Sequence, residues 1–181
     1  PPGVAFAFRG KSGKHHETAF QDRRLARVVK SCQDLPGQRL FQYLDAEGER
    51  HAVESADVNA YLRAAMREEV SAKDFRTWAA TVSAARALVE HGGCGTQTET
   101  RRNLNTCIKA VAGLLGNTPT VCRRAYIHPL VLAAYEGGEL PLKAAATPRA
   151  FELSVIRFLE RAAQVSPRDG APKDRDRGKN P

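Results

Sequence analysis

A chain of 181 residues with 42% hydrophobic content is long enough for one domain with a proper core and too short for two large ones. A formal charge of +8 and a pI of about 9.6 point to a polyanionic partner, nucleic acid before an anionic membrane surface. No run of about 18 apolar residues interrupts the chain and no secretory pattern opens it, so a membrane partner is not expected.

Val4 to Arg9 alternate, with Val4, Phe6 and Phe8 on one face, the period-2 pattern of a half-buried strand. The sequence opens at Pro1 almost directly on this strand, so a start inside a longer polypeptide is expected. Gly10-Lys11-Ser12-Gly13-Lys14 supplies a hairpin loop, and a second strand follows near His15 to Phe20. From about Asp22 the spacing becomes helical, with Leu25, Val28, Val29 and Cys32 apolar and Arg23, Arg27 and Lys30 opposite them. The basic stripe reads first as a solvated face. Pro36-Gly37 stops this helix, and Leu40–Leu44 and Arg50–Val53 flank Asp45-Ala46-Glu47-Gly48, a second small hairpin or irregular turn.

The rest reads as helix. Val58, Tyr61, Leu62, Ala65 and Met66 mark one, and Phe75, Trp78, Ala79, Val82 and Ala85 the next, ended by His91-Gly92-Gly93-Cys94-Gly95. A flexible linker is expected from there to Thr100, and then Leu104, Cys107, Ile108, Val111 and Leu115 define a helix closed by Gly116. Three further helices begin on Pro119, Pro129 and Pro148, the first and third preceded by the N-cap candidates Thr118 and Thr147. Pro167–Pro181 has Ala171 as its single apolar residue and cannot offset the entropy of ordering itself. The expectation is therefore a mainly α domain over 1–165 with a small N-terminal β-hairpin, and a disordered charged tail over 166–181. Cys32, Cys94, Cys107 and Cys122 form no C-x-x-C pair, which indicates neither a zinc site nor a disulfide framework and suits a reducing cytoplasm.

Three segments stand out by content and order: Phe8-Arg9-Gly10-Lys11-Ser12-Gly13-Lys14, then Lys73-Asp74-Phe75-Arg76-Thr77-Trp78, then Leu115-Gly116-Asn117-Thr118-Pro119 running on to Arg123-Arg124-Ala125-Tyr126-Ile127-His128-Pro129. Over about Phe6 to Ala163 they resemble the bacterial and poxvirus type IB DNA topoisomerases. The resemblance implies a helical catalytic domain of the kind shared with tyrosine recombinases. It implies relaxation of supercoiled double-stranded DNA by a monomer in the cytoplasm, at the bacterial nucleoid, with no metal, ATP or other cofactor. It assigns Tyr126 as the nucleophile that forms a 3′-phosphotyrosyl bond, Arg76 as the cation on the non-bridging oxygens, Asn117 as a hydrogen-bond donor to them and Lys11 as the general acid.

Those residue types suit those tasks. The phosphoryl transition state spreads charge over its equatorial oxygens, and a guanidinium meets two of them at once. The Asn117 amide donates but cannot titrate, and it stands where poxvirus members carry histidine. An alkoxide leaves poorly without a proton, which an ammonium supplies. Lys14 competes with Lys11 for that role, and Lys14, Lys73, Arg123 and Arg124 are candidate DNA contacts. The family's further arginine would lie upstream of Lys11, in a portion this sequence does not contain.

Two alternatives follow from the same residues. A tyrosine recombinase would share the nucleophile, but Lys73 stands where its His-x-x-Arg box has histidine, and Asn117 where it has another. A non-catalytic DNA-binding module would keep the fold and lose the adduct.

Overall fold

The computed structural model describes residues 3–10, 13, 15–34, 36, 37 and 39–165. The chain divides between Phe75 and Arg76 into two compact units.

In the first unit, β1 (Gly3–Arg9) pairs antiparallel with β2 (His15–Gln21), in a register that sets Gly3 opposite Gln21 and Arg9 opposite His15. The alternation read from the sequence half-buries Val4 and Phe6. The Gly13 N–H donates to Gly10 O at 3.2 Å, and Gly13 sits at φ +70°, where a side chain would be strained. Helix α1 (Arg23–Gln33) starts on Asp22, whose carboxylate accepts from the N–H groups of Arg24 and Leu25. The second hairpin forms from β3 (Gln42–Leu44) and β4 (Arg50–Ala52). Asp45 holds its turn, accepting from the N–H groups of Glu47 and Glu49 and pairing with His51 Nε2 at 2.6 Å. That histidine bond keeps the Asp45 carboxyl below its ordinary range. Helix α2 spans Ser55–Met66, its entry fixed by Asp57 accepting from the Glu54 N–H at 2.8 Å. Among the described residues of this unit none is buried. The apolar stripe of α1 is accordingly open, with Leu25 and Val28 exposed and Val29 and Cys32 half-buried.

Helix α3 (Ala72–His91) runs across the division. Its start is a Ser-x-x-Asp box: Asp74 accepts from the Ser71 N–H at 2.8 Å and the Ser71 hydroxyl at 2.7 Å. The serine bonds hold the Asp74 carboxyl below its ordinary range. Asp74 is thereby occupied as a cap.

The second unit adds α4 (Gln97–Leu115), α5 (Pro119–Ala125), α6 (Pro129–Glu136) and α7 (Pro148–Val165). Leu88 of α3, Cys107 and Val111 of α4, Cys122 of α5, Val131 of α6 and Val155 of α7 meet in one apolar core. Polar bonds register the helices against one another. The Cys107 thiol points at Ala84 O, 3.5 Å away, and the Tyr135 hydroxyl donates to Gly92 O at 3.0 Å. The Arg86 guanidinium lies over the Phe151 ring. Prolines open α5, α6 and α7 as expected, with Thr118, His128 and Thr147 accepting from the N–H groups of Val121, Leu130 and Ala150.

The linker expected up to Thr100 is shorter than the sequence reading had it. Thr96 caps α4 by accepting from the Glu99 N–H, and the Glu99 carboxylate accepts from the Gly95 N–H, so the helix is nucleated at Gln97. Thr96-Gln97-Thr98-Glu99 is itself a readable capping signature. The mainly α fold with its N-terminal hairpin is as expected. Among the described residues no helix is long and apolar enough to cross a membrane. The tail over 166–181 lies outside the described residues.

Candidate active site

Tyr126 closes α5. Its backbone, at φ −126° and ψ −36°, leaves the helix, and three residues later Pro129 opens α6, so Tyr126, Ile127 and His128 form a tight connection between two short helices. Cys122, fully buried, anchors it. The Cys122 carbonyl accepts from the N–H groups of both Tyr126 (3.1 Å) and Ile127 (3.0 Å), and the buried Ile127 side chain turns into the core. Tyr126 itself is half-buried, its ring packed on the core edge.

Arg76 reaches this tyrosine from α3. Its guanidinium carbon lies 5.5 Å from the centroid of the Tyr126 ring, a cation–π apposition, and its Nη2 donates to Leu115 O at 2.8 Å. Leu115 is the last residue of α4, one of the orphan carbonyls every helix end leaves. Gly116 then takes φ +64° as the cap, which turns the chain so that the Asn117 N–H bonds to Ala112 O at 2.9 Å. The Asn117 amide returns to the same Leu115 carbonyl at 3.3 Å. One carbonyl thus receives both Arg76 and Asn117, side chains 41 residues apart in sequence. Nearby, burial pushes the Cys122 thiol up from its ordinary range while the Arg76 charge pulls it back.

Of the residues singled out in the sequence, Arg76, Asn117 and Tyr126 come together. Arg123 and Arg124 occupy the last turn of α5, exposed and directly before the tyrosine. Lys73 is exposed in the first turn of α3. Lys11 and Lys14 lie outside the described residues. Of the four histidines outside this region, His15 pairs with Glu17, His16 stacks on Phe8, His51 pairs with Asp45, and His91 is exposed at the end of α3. All four cysteines are free, and among the described residues no cluster of His, Cys, Asp and Glu could hold a metal ion.

Two participants escaped the sequence reading. The Leu115 carbonyl is backbone and has no residue-type signal. Thr81, five residues after Arg76, is 2% exposed. Its Oγ1 accepts from the His128 N–H at 3.0 Å and lies 3.3 Å from Tyr126 O and 2.9 Å from Thr77 O. A helical threonine bonded to the carbonyl four residues back is common, so nothing local marks it.

The chain is similar to known proteins along most of its length. The model of the family described as eukaryotic DNA topoisomerase I, catalytic core, matches residues 1–139. A DNA topoisomerase 1B of Acanthamoeba polyphaga mimivirus is 29% identical over 143 residues, which cover 75% of this chain and 43% of that protein. The chain therefore spans less than half the length of this relative.

Proposed function

Since this chain belongs to the topoisomerase I catalytic-core family, of type IB, we propose that it carries the strand-cleaving centre of a type IB DNA topoisomerase, with Tyr126 as nucleophile. The Tyr126 oxygen attacks a backbone phosphorus, the bond to the 5′-oxygen breaks, and a 3′-phosphotyrosyl ester holds the energy of the broken bond. Rotation of the free strand relaxes the duplex. The 5′-hydroxyl then attacks the ester, restoring the strand and the phenol.

The apposition of Arg76 and Tyr126 carries the reading. A phosphate attacked by the tyrosine oxygen comes within the field of the guanidinium, whose remaining N–H donors match two non-bridging oxygens. Asn117, which shares the Leu115 carbonyl with Arg76, adds a neutral donor. Exchange of that carbonyl for phosphate oxygens is a step that DNA binding itself can drive. Arg123, Arg124, Lys73 and Lys14 neutralise flanking phosphates, which sets affinity and its salt dependence rather than chemistry. Lys11 protonates the departing 5′-oxygen. The partner is double-stranded DNA, engaged by a monomer in the cytoplasm, and no metal or nucleotide cofactor enters the scheme.

The experiment is trapping of the covalent adduct on a nicked suicide substrate. The unmodified protein, at full length, forms a protein–DNA ester that survives denaturation. Tyr126→Phe binds the same DNA with affinity changed by no more than about 2-fold and forms none, because only the attacking oxygen is gone. Undiminished adduct with Tyr126→Phe overturns the assignment, and DNA binding with no adduct from the unmodified protein returns the non-catalytic module.

A further inference from the structure

We infer that Thr81 is a positioning residue for the nucleophile: its buried hydroxyl clamps the backbone on both sides of Ile127 and so fixes Tyr126 relative to Arg76 on the same helix. The inference rests on the reading of Tyr126 as nucleophile and deepens it by naming what holds that residue in place.

Tyr126 has an unusual mounting. It lies outside the regular part of α5, in the three-residue connection to α6, and α5 itself is only 7 residues long. The bonds from the Tyr126 and Ile127 N–H groups both end on Cys122 O, inside α5. They tie the tyrosine to its own short helix, and neither reaches α3. Thr81 supplies the tie between helices. Its Oγ1 accepts from the His128 N–H (3.0 Å) and faces the Tyr126 carbonyl (3.3 Å), so a single oxygen contacts the peptide groups before and after Ile127. The hydroxyl carries one proton, to be given either to Tyr126 O or to Thr77 O, 2.9 Å away. Either way the oxygen accepts from the His128 N–H.

The other half of the geometry is the helix on which Thr81 stands. Arg76 precedes it by five residues, a little over one turn along α3. The cation and the clamp therefore belong to one rigid element, and the clamp sets the distance from guanidinium to phenol. Thr81 is 2% exposed, so its methyl group is enclosed with the rest of the side chain. Valine keeps the shape of threonine and loses the hydroxyl, which leaves the part-buried His128 N–H without its acceptor. Serine keeps the hydroxyl and loses only the methyl.

The test compares Thr81→Val and Thr81→Ser in the full-length protein, with two readouts. One is the single-turnover rate of covalent adduct formation at saturating protein, beside DNA affinity. A displacement of about 1 Å at a reacting centre costs on the order of 10²-fold. Thr81→Val is expected to slow adduct formation roughly 10- to 100-fold with DNA affinity within about 2-fold of the unmodified protein, and Thr81→Ser to recover most of the rate. The other readout needs no reaction. With fluorotyrosine at position 126, the fluorine resonance of the free protein reports the ring's contact with Arg76. Arg76→Ala defines the shift when that contact is lost. Thr81→Val is expected to move the resonance toward that value and Thr81→Ser to leave it near the unmodified position. A valine variant with unchanged fluorine resonance overturns the inference, as does equal slowing by valine and serine. Loss of adduct in every protein, with the resonance still responding to Thr81→Val, overturns the nucleophile reading and leaves the clamp standing.

Discussion

The two units of this chain are built on different terms. Every buried residue described, from Ala80 to Val155, belongs to the second unit, where α3 to α7 enclose one continuous core. The first unit has two hairpins and two helices without a single buried side chain among its described residues, and large apolar groups such as Leu25, Val28 and Tyr61 are exposed. Packing of the first kind locks side chains into one arrangement, and open apolar surface of the second kind does not. Tyr126, Arg76 and Asn117 stand on the packed unit, which would keep the proposed nucleophile and its cation at a fixed spacing. The β1–β2 hairpin, whose loop contains the proposed acid Lys11, belongs to the open one.

The sharpest probe of that contrast changes the leaving group. Lys11→Ala is expected to slow cleavage of ordinary DNA by about 10²–10⁴-fold, the usual share of general acid catalysis. On a 5′-bridging phosphorothiolate, whose thiolate departs without a proton, the same variant is expected to cleave at nearly the unmodified rate. Arg76→Ala is not rescued by sulfur, because the charge it faces is on the non-bridging oxygens. Equal defects of Lys11→Ala on both substrates break the assignment, and rescue of Lys14→Ala instead transfers the role to Lys14.

Stability separates the units next. Leu88 is fully buried, and Leu88→Ala is expected to cost about 2–5 kcal/mol by urea denaturation. A loss below about 1 kcal/mol contradicts the packed core. Cys107 gives the same unit an alkaline signature, since burial pushes its thiol from an ordinary 9.0 up to about 11. The unfolded chain releases this proton first, so the stabilisation is complete below pH 9 and is lost as pH rises toward 11. Two units correspond to on the order of 3 kcal/mol. Cys107→Ala is less stable at neutral pH but should lack that step, and an unchanged alkaline slope would remove the assignment. The smallest effect belongs to the first unit: Leu25→Ala, on the open face of α1, is expected to stay within about 0.5 kcal/mol by the same denaturation. A loss comparable to that of Leu88→Ala shows that something covers that face in solution.

Much of this molecule was legible before any coordinates. Local chemistry writes the elements: alternation for β1 and β2, 3.6-residue spacing for the helices, proline behind a cap for α5 and α7, glycine at the end of α4. Where the structure differs, the cause is also local. The glycines of Gly92–Gly95 suggest a linker running to Thr100, whereas the Thr96–Glu99 box ends it four residues earlier. The open face of α1 was not legible, because periodicity says which side of a helix is apolar and nothing about what covers it.

The sequence by itself determined the family resemblance, and through it singled out Arg76, Asn117 and Tyr126 as candidates, since each sits in one of the short segments that carry the resemblance. Only the tertiary structure decided how those segments meet: that Leu115 lends one carbonyl to both Arg76 and Asn117, and that Thr81 reaches across 45 residues to the backbone of Tyr126. Backbone carbonyls have no residue signature, and a threonine inside a helix has many uses. Such contacts arise from the packing of α3 against α5 and the chain end of α4, a relation between distant stretches that no local pattern encodes.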